Sequence, residues 1–231
     1  MDKDFSFGVA FILEGDTEKV FYVSFLESCC KKYPGARLDK LTSPTTGEIL
    51  YALTRSDGSK VLIKLFVVGT ISQITNSGDW FLRRCYHAHK PLKWCVFLCY
   101  DTDSYLDNIT KFHEGDWNAL RTVLKKGRPY KIIDLAAAAD IEDIMLLDSN
   151  GVFAFLGIPP APIPGGSKGK KKMKRLFRGK GPGVAYHPGN RAEPLIKSLD
   201  FDRIALSAPI PLQDVECICL SGYPEMWDTQ K

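Results

Sequence analysis

Short, uninterrupted apolar runs alternate along the chain with longer stretches in which apolar positions recur every three to four residues, a pattern that predicts strands alternating with helices. The first run, Ser6 to Leu13, stops at Glu14-Gly15 and reads as a central strand covered on both faces. Asp16 is placed as the N-cap of the following helix, Thr17 to about Tyr33, with Tyr22, Leu26, Cys29 and Tyr33 forming its apolar stripe and Glu18 a helix-dipole partner in its first turn. Pro34 to Lys60 is rich in turn dipeptides and is left mostly open, with room for one short helix around Glu48 to Thr54. Val61 to Val68 is a second strand, and Asp79 to His89 a helix capped by Asp79. Trp94 to Tyr100 is a third buried strand running directly into Asp101-Thr102-Asp103-Ser104. A helix from Asp116 to Lys126, a strand from Tyr130 to Leu135 and an apolar helix beginning near Asp140 complete the succession.

Such a βα alternation implies an α/β fold built on an open, mainly parallel sheet with helices on both faces. The break in composition falls at Ile158-Pro-Pro-Ala-Pro-Ile-Pro-Gly-Gly. It divides the chain into an α/β domain over residues 1–157 and a basic C-terminal lobe or extension, 158–231, packed on it. Within that extension Asn190 to Leu199 is a candidate helix. Asp200 to Lys231, with Pro209, Pro211 and Pro224, reads as irregular chain with one edge strand near Val215 to Leu220.

Composition narrows the function classes. The 231 residues are 45% hydrophobic and 25% charged, the balance of a chain that buries a core. A net charge of +4 is too mild to establish polyanion binding from totals alone, so the distribution of charge has to decide. No apolar run approaches the roughly 18 residues of a membrane span, and Met1 to Phe5 lacks the basic start of a secretory signal, so a cytoplasmic protein is expected. Seven cysteines without a CxxC pair argue against a disulfide framework and give no paired-ligand pattern for structural zinc.

Acids at strand ends carry the chemistry. Ligands of open α/β sheets bind outside the C-terminal ends of the strands, so Glu14, Asp101 and Asp103 are expected to converge there. Gathered carboxylates repel one another, and a divalent cation with a preference for oxygen ligands, Mg²⁺ or Mn²⁺, is the natural compensation. An Asp-x-Asp after a strand also serves plain turn and cap chemistry, and Asp140 and Asp143 read as cap residues of a helix first turn.

An apolar strand, Glu14-Gly15-Asp16-Thr17-Glu18 leading into a helix, and a later strand ending in Asp101-x-Asp103 together resemble the TOPRIM domain of topoisomerases, primases and the OLD-type and RloB-like nucleases of bacterial defence. The resemblance covers about Ser6 to Leu147. It implies that the residue matching Glu14 takes part in acid or base work and metal contact, and that those matching Asp101 and Asp103 hold Mg²⁺. Many members carry a third acid where this chain has Tyr105. Asp107 in a shifted turn, or better Glu142 at the start of a late helix, would replace it and complete a second metal position. The implied activity is metal-dependent hydrolysis of DNA or RNA phosphodiester bonds in anti-phage defence, with a partner ATPase or other defence component as a further expectation. Strand passage is not expected, because no tyrosine-bearing DNA-gripping domain can be found.

A second concentration of chemistry lies between Ser167 and Gly183, where Lys168, Lys170, Lys171, Lys172, Lys174, Arg175, Arg178 and Lys180 occur without an acid. Met173, Leu176 and Phe177 are spaced to pack one side of a helix that turns its cations outward, toward a phosphate backbone. Lys168 or Lys170 could instead approach developing negative charge, as a late lysine does in some OLD-like nucleases. A solvated basic surface is the plain alternative. Two other functions compete: a HAD-like phosphatase using Asp101 and Asp103 with Asp140 and Asp143 as metal ligands, and a non-catalytic module that binds nucleic acid or senses a partner.

Overall fold

A computed structural model describes residues 4–43, 48–69, 72–102, 114–166 and 168–221. Strand β1 (Phe7–Leu13) is buried along its whole length. It lies at the centre of a six-stranded sheet of order β2-β3-β4-β1-β5-β6, formed with β2 (Arg37–Leu41), β3 (Ile49–Thr54), β4 (Lys60–Val67), β5 (Trp94–Asp101) and β6 (Lys131–Ala137). Strands β4, β1, β5 and β6 are parallel, whereas β2 and β3 pair antiparallel at one edge. The protein is thus α/β with a mostly parallel sheet.

Alternate residues of β1 feed two cores. Val9, Phe11 and Leu13 face one side and Ala10 and Ile12 the other. On the first side Phe11 stacks on Phe97 at 5.0 Å and meets Tyr22 of α1 (Asp16–Cys30) at 5.8 Å. The second side is covered by α2 (Ser72–Trp80), which runs on as a π-helical turn from Phe81 to His87, and by α3 (Glu114–Lys125). There Phe81 meets Trp94 edge-on and Tyr100 stacks on Trp117 at 4.4 Å. Gly8 is required where β1 and β5 pair, because a Cβ at that position would stand 2.6 Å from the Trp94 ring.

After β6 the chain forms α4 (Ile141–Met145), α5 (Ser149–Leu156), α6 (Gly169–Lys180), α7 (Glu193–Lys197), α8 (Phe201–Ser207) and α9 (Leu212–Glu216). Their apolar residues join the first core, where Phe201 packs edge-on against Phe21 and Phe25 of α1 at 5.4 and 5.8 Å. A π-helical turn, Cys217–Ser221, follows α9. Arg55, buried just beyond β3, reaches it: Nε donates to the Cys219 carbonyl and Nη2 to that of Ile218, both at 2.8 Å.

Several elements differ from the sequence reading. Residues 49–54 form a strand rather than a helix, because Leu50, Ala52 and Leu53 are buried where β3 lies between β2 and β4. Gly15, not Asp16, is the N-cap of α1, and that helix ends at Cys30. The helix expected from Asp79 begins at Ser72. Residues 222–231, Pro224 among them, lie outside the described residues; the described part of the C-terminal stretch, 200–221, is largely helical instead of irregular, and no strand forms at 215–220. There Leu212, Val215 and Cys219 recur at helical spacing and are all fully buried. All seven cysteines are free thiols, and among the described residues no helix is long and apolar enough to cross a membrane.

Candidate functional site

The C-terminal ends of β1, β5 and β6 meet the starts of α1, α4 and α6 around a cleft of about 420 Å³. Glu14 follows β1 directly. Its N–H donates to the Cys99 carbonyl at 2.9 Å, which continues the ladder one residue past the strand, and its side chain is 5% exposed. Glu14 Oε2 accepts the Asp101 N–H at 3.0 Å, so the acid after β1 is tied to the end of β5. Parallel register makes this possible, since Leu13 pairs with Cys99 and β5 runs two residues further, to Asp101.

Asp101 is the last residue of β5, and its Oδ1 is buried without a hydrogen-bond partner among the described residues. Burial raises its pKa to about 10, reinforced by the carboxylates of Glu18, Glu14, Asp140 and Glu142. These acids therefore act on one another although they stand far apart in sequence. Glu18 was expected to be a dipole partner; it is buried and lines the cleft. Gly15 leaves room for it, because a Cβ there would lie 2.9 Å from Glu18 Oε2. Thr17 Oγ1 accepts the Gly189 N–H at 2.8 Å, which fastens the opposite wall of the cleft to α1.

The third group comes from the start of α4. Glu142 is 3% exposed and accepts a hydrogen bond from the Tyr186 hydroxyl at 2.9 Å. Burial, then the neighbouring Asp140, pushes its carboxyl up to about 7 against the pull of that hydroxyl. Asp140 is the N-cap of α4, as the sequence predicts: its Oδ1 accepts the Asp143 N–H at 3.1 Å. Its Oδ2 accepts the Lys170 N–H at 3.0 Å, so both oxygens already hold backbone. Burial raises its pKa as well. Asp143 accepts from Gly169 N–H and Lys172 Nζ and does not line the cleft.

Of the sequence-predicted acids, Glu14, Asp101 and Glu142 are brought together. Asp103 and the substitute Asp107, like Tyr105, lie outside the described residues. Among the described residues no group of three or more His, Cys, Asp or Glu side chains is arranged so as to hold a metal ion. The acidic side chains of the cleft offer carboxylate oxygens, the chemistry that suits Mg²⁺ or Mn²⁺, and Asp101 Oδ1 has no hydrogen-bond partner among the described residues. Tyr186 was missed by sequence reasoning, because a tyrosine in a Gly- and Pro-rich stretch gives no signal of the carboxylate it will meet.

The basic residues of α6 divide by position. Met173, Leu176 and Phe177 are buried against the body, as their spacing predicts. Lys168 and Lys170 line the acidic cleft. Lys172 is held by Asp143 at 2.7 Å and Arg175 Nη1 donates to the Gly165 carbonyl, so these two are engaged with the protein instead of turning freely outward. Lys171, Lys174 and Arg178 are exposed along one side of the helix at i, i+3 and i+7.

No family model matches the chain, and no curated protein matches it. A solved structure, the futalosine hydrolase of Helicobacter pylori strain 26695, is similar at 11% identity, covering 67% of this chain and 84% of that one, with a TM-score of 0.25. So low a score carries no argument about fold or activity.

Proposed function

We propose that this protein is a divalent-cation-dependent nuclease that hydrolyses phosphodiester bonds of DNA or RNA. One observation carries the reading: carboxylates delivered by the ends of separate parallel strands and by the start of α4 share one cleft with two lysines. Buried like charges at such a site favour a bound cation. Glu14, Asp101 and Glu142 would hold Mg²⁺ or Mn²⁺, which when bound supplies Lewis-acid stabilisation of a phosphoryl group. Lys168 and Lys170 are suited to attract and orient the phosphodiester. Glu18 lines the cleft where it could carry a proton, and Gly15 lets its carboxylate sit close to the backbone. The tie from Asp101 N–H to Glu14 Oε2 keeps two of the acids in fixed register.

Labelled single- and double-stranded DNA and RNA, incubated with and without Mg²⁺ or Mn²⁺, test the proposal. Cleavage is expected only with the cation and is expected to disappear in Glu14→Ala. Cation-independent cleavage, full activity of the variant, or intact substrates throughout would overturn it.

A further inference from the structure

Helix α6 begins with a Gly between two lysines that face the cleft, and the way this turn is seated is unusually tight. The Gly169 N–H donates to Asp143 Oδ2 and the Lys170 N–H to Asp140 Oδ2, each at 3.0 Å. Lys172 Nζ, one turn on, donates to Asp143 Oδ1 at 2.7 Å. Asp143 therefore grips the helix by its backbone and by a side chain at once, while Asp140 caps α4 and α6 together. The approach depends on the absent side chain: a Cβ on residue 169 would stand 2.2 Å from the Asp143 nitrogen and 2.5 Å from Asp140 Oδ1. Two positive helix ends are thereby brought side by side next to an acidic cleft, and the two aspartates offset their repulsion. The amides that a helix start would otherwise offer to an anion are already bonded, so anion recognition here falls to side chains.

We infer that Asp143 and Gly169 are positioning residues for the phosphate of a nucleic-acid substrate, fixing Lys168 and Lys170 at the rim of the acidic cleft. The identity of the ligand rests on the nuclease reading; the clamp itself rests on the hydrogen bonds and on the Gly169 contact. Neither residue lines the cleft, so both act through the lysines. Without the clamp the first turn of α6 frays, and the lysines meet the phosphate at an entropic disadvantage. The stripe of Lys171, Lys174 and Arg178 lies further along the helix and remains available to neighbouring phosphates.

Binding of a fluorescein-labelled oligonucleotide to the full chain in EDTA tests this without cleavage. Asp143→Ala and Gly169→Ala are each expected to weaken binding about tenfold. Asp143→Asn, which keeps an acceptor for the Gly169 N–H, is expected to lose less. The decisive measurement is a double-mutant cycle: in a Lys168→Ala/Lys170→Ala background, Asp143→Ala should add no further loss, whereas a residue that merely supports the fold would still add one. Additive losses, wild-type affinity in both single variants, or no binding by the wild-type chain in EDTA would overturn the inference. The nuclease reading fails separately, when binding and the cycle behave as expected but no Mg²⁺-dependent cleavage follows.

Discussion

Two of the places where the described residues bury charge at the sheet are solved in opposite ways. On the second face Lys64 of β4 is 4% exposed and its partner Glu48 9%, with 2.9 Å between Nζ and Oε1. Lys64 also donates to the Arg84 carbonyl and Glu48 accepts from Ser43 Oγ, so the pair is closed within the chain. At the C-terminal edge of the same sheet, the described residues lining the cleft include six acids, Glu14, Asp16, Glu18, Asp101, Asp140 and Glu142, against Lys168 and Lys170. A buried ion is tolerated when a partner and hydrogen bonds replace its water. The first site meets that condition by itself. The second does not: Asp101 Oδ1 has no hydrogen-bond partner among the described residues and burial pushes the carboxyls of Asp101 and Glu142 upward, so that, on the function proposed above, a cation would have to offset their charge.

Variants at the two sites should therefore fail differently. The largest effect is expected from Asp101→Asn: metal-dependent cleavage falls by about a thousandfold or more while the circular dichroism spectrum is unchanged. Loss of activity through unfolding would contradict this side of the comparison. Glu48→Gln has the reverse profile, leaving a buried ammonium without its counter-ion. It should destabilise the fold by about 3 kcal/mol in urea denaturation, whereas replacing both partners together, Glu48→Leu with Lys64→Met, should come close to neutral. Equal destabilisation by the single and the double variant would show that the pair is not self-contained.

A smaller effect concerns pH. Burial acts to raise the Glu48 pKa, but the bonds from Lys64 and Ser43 outweigh it and hold the carboxyl below its ordinary value of 4.5. A folded pKa below the unfolded one contributes stability above the unfolded value, lost as pH falls through the folded one. The urea midpoint of the wild-type chain should thus decline on acidification below about pH 4.5, a decline that Glu48→Gln makes shallower. An identical acid limb in both proteins would remove Glu48 from the explanation. Smallest of all, Leu206→Lys should shift stability by less than about 0.5 kcal/mol, since the leucine is 79% exposed on α8; a larger loss in the same assay would mean that this surface is covered.

Much of the fold was legible because β1 and β5 are apolar on both faces and β4 nearly so, a pattern that a buried parallel strand imposes directly on sequence. The β2–β3 hairpin was not. Ile49-Leu50-Tyr51-Ala52-Leu53-Thr54 contains good helix formers, and its strand conformation comes from pairing with β4, which local propensity does not register. The short helices α8 and α9 escaped because five to seven residues barely display a helical period, whereas α7 falls within the helix expected from Asn190 to Leu199. One clue was present: Asp200 caps α8 by accepting the N–H groups of Asp202 and Arg203. At the candidate site, strand-ending Glu14 and Asp101 were readable from position alone, whereas Glu142 was pointed to only by the resemblance to TOPRIM proteins. The burial of Glu18 and the double duty of Asp140 depend on how α1 and α6 dock, which no spacing encodes.

The grip of Arg55 on the carbonyls of Ile218 and Cys219 joins the sheet's antiparallel edge to the last described turn of the chain. A version of the protein shortened to end at Glu216 would take both carbonyl acceptors from this guanidinium and leave it to water. Seating of that turn and the stability of the hairpin edge are, in consequence, energetically coupled through one guanidinium.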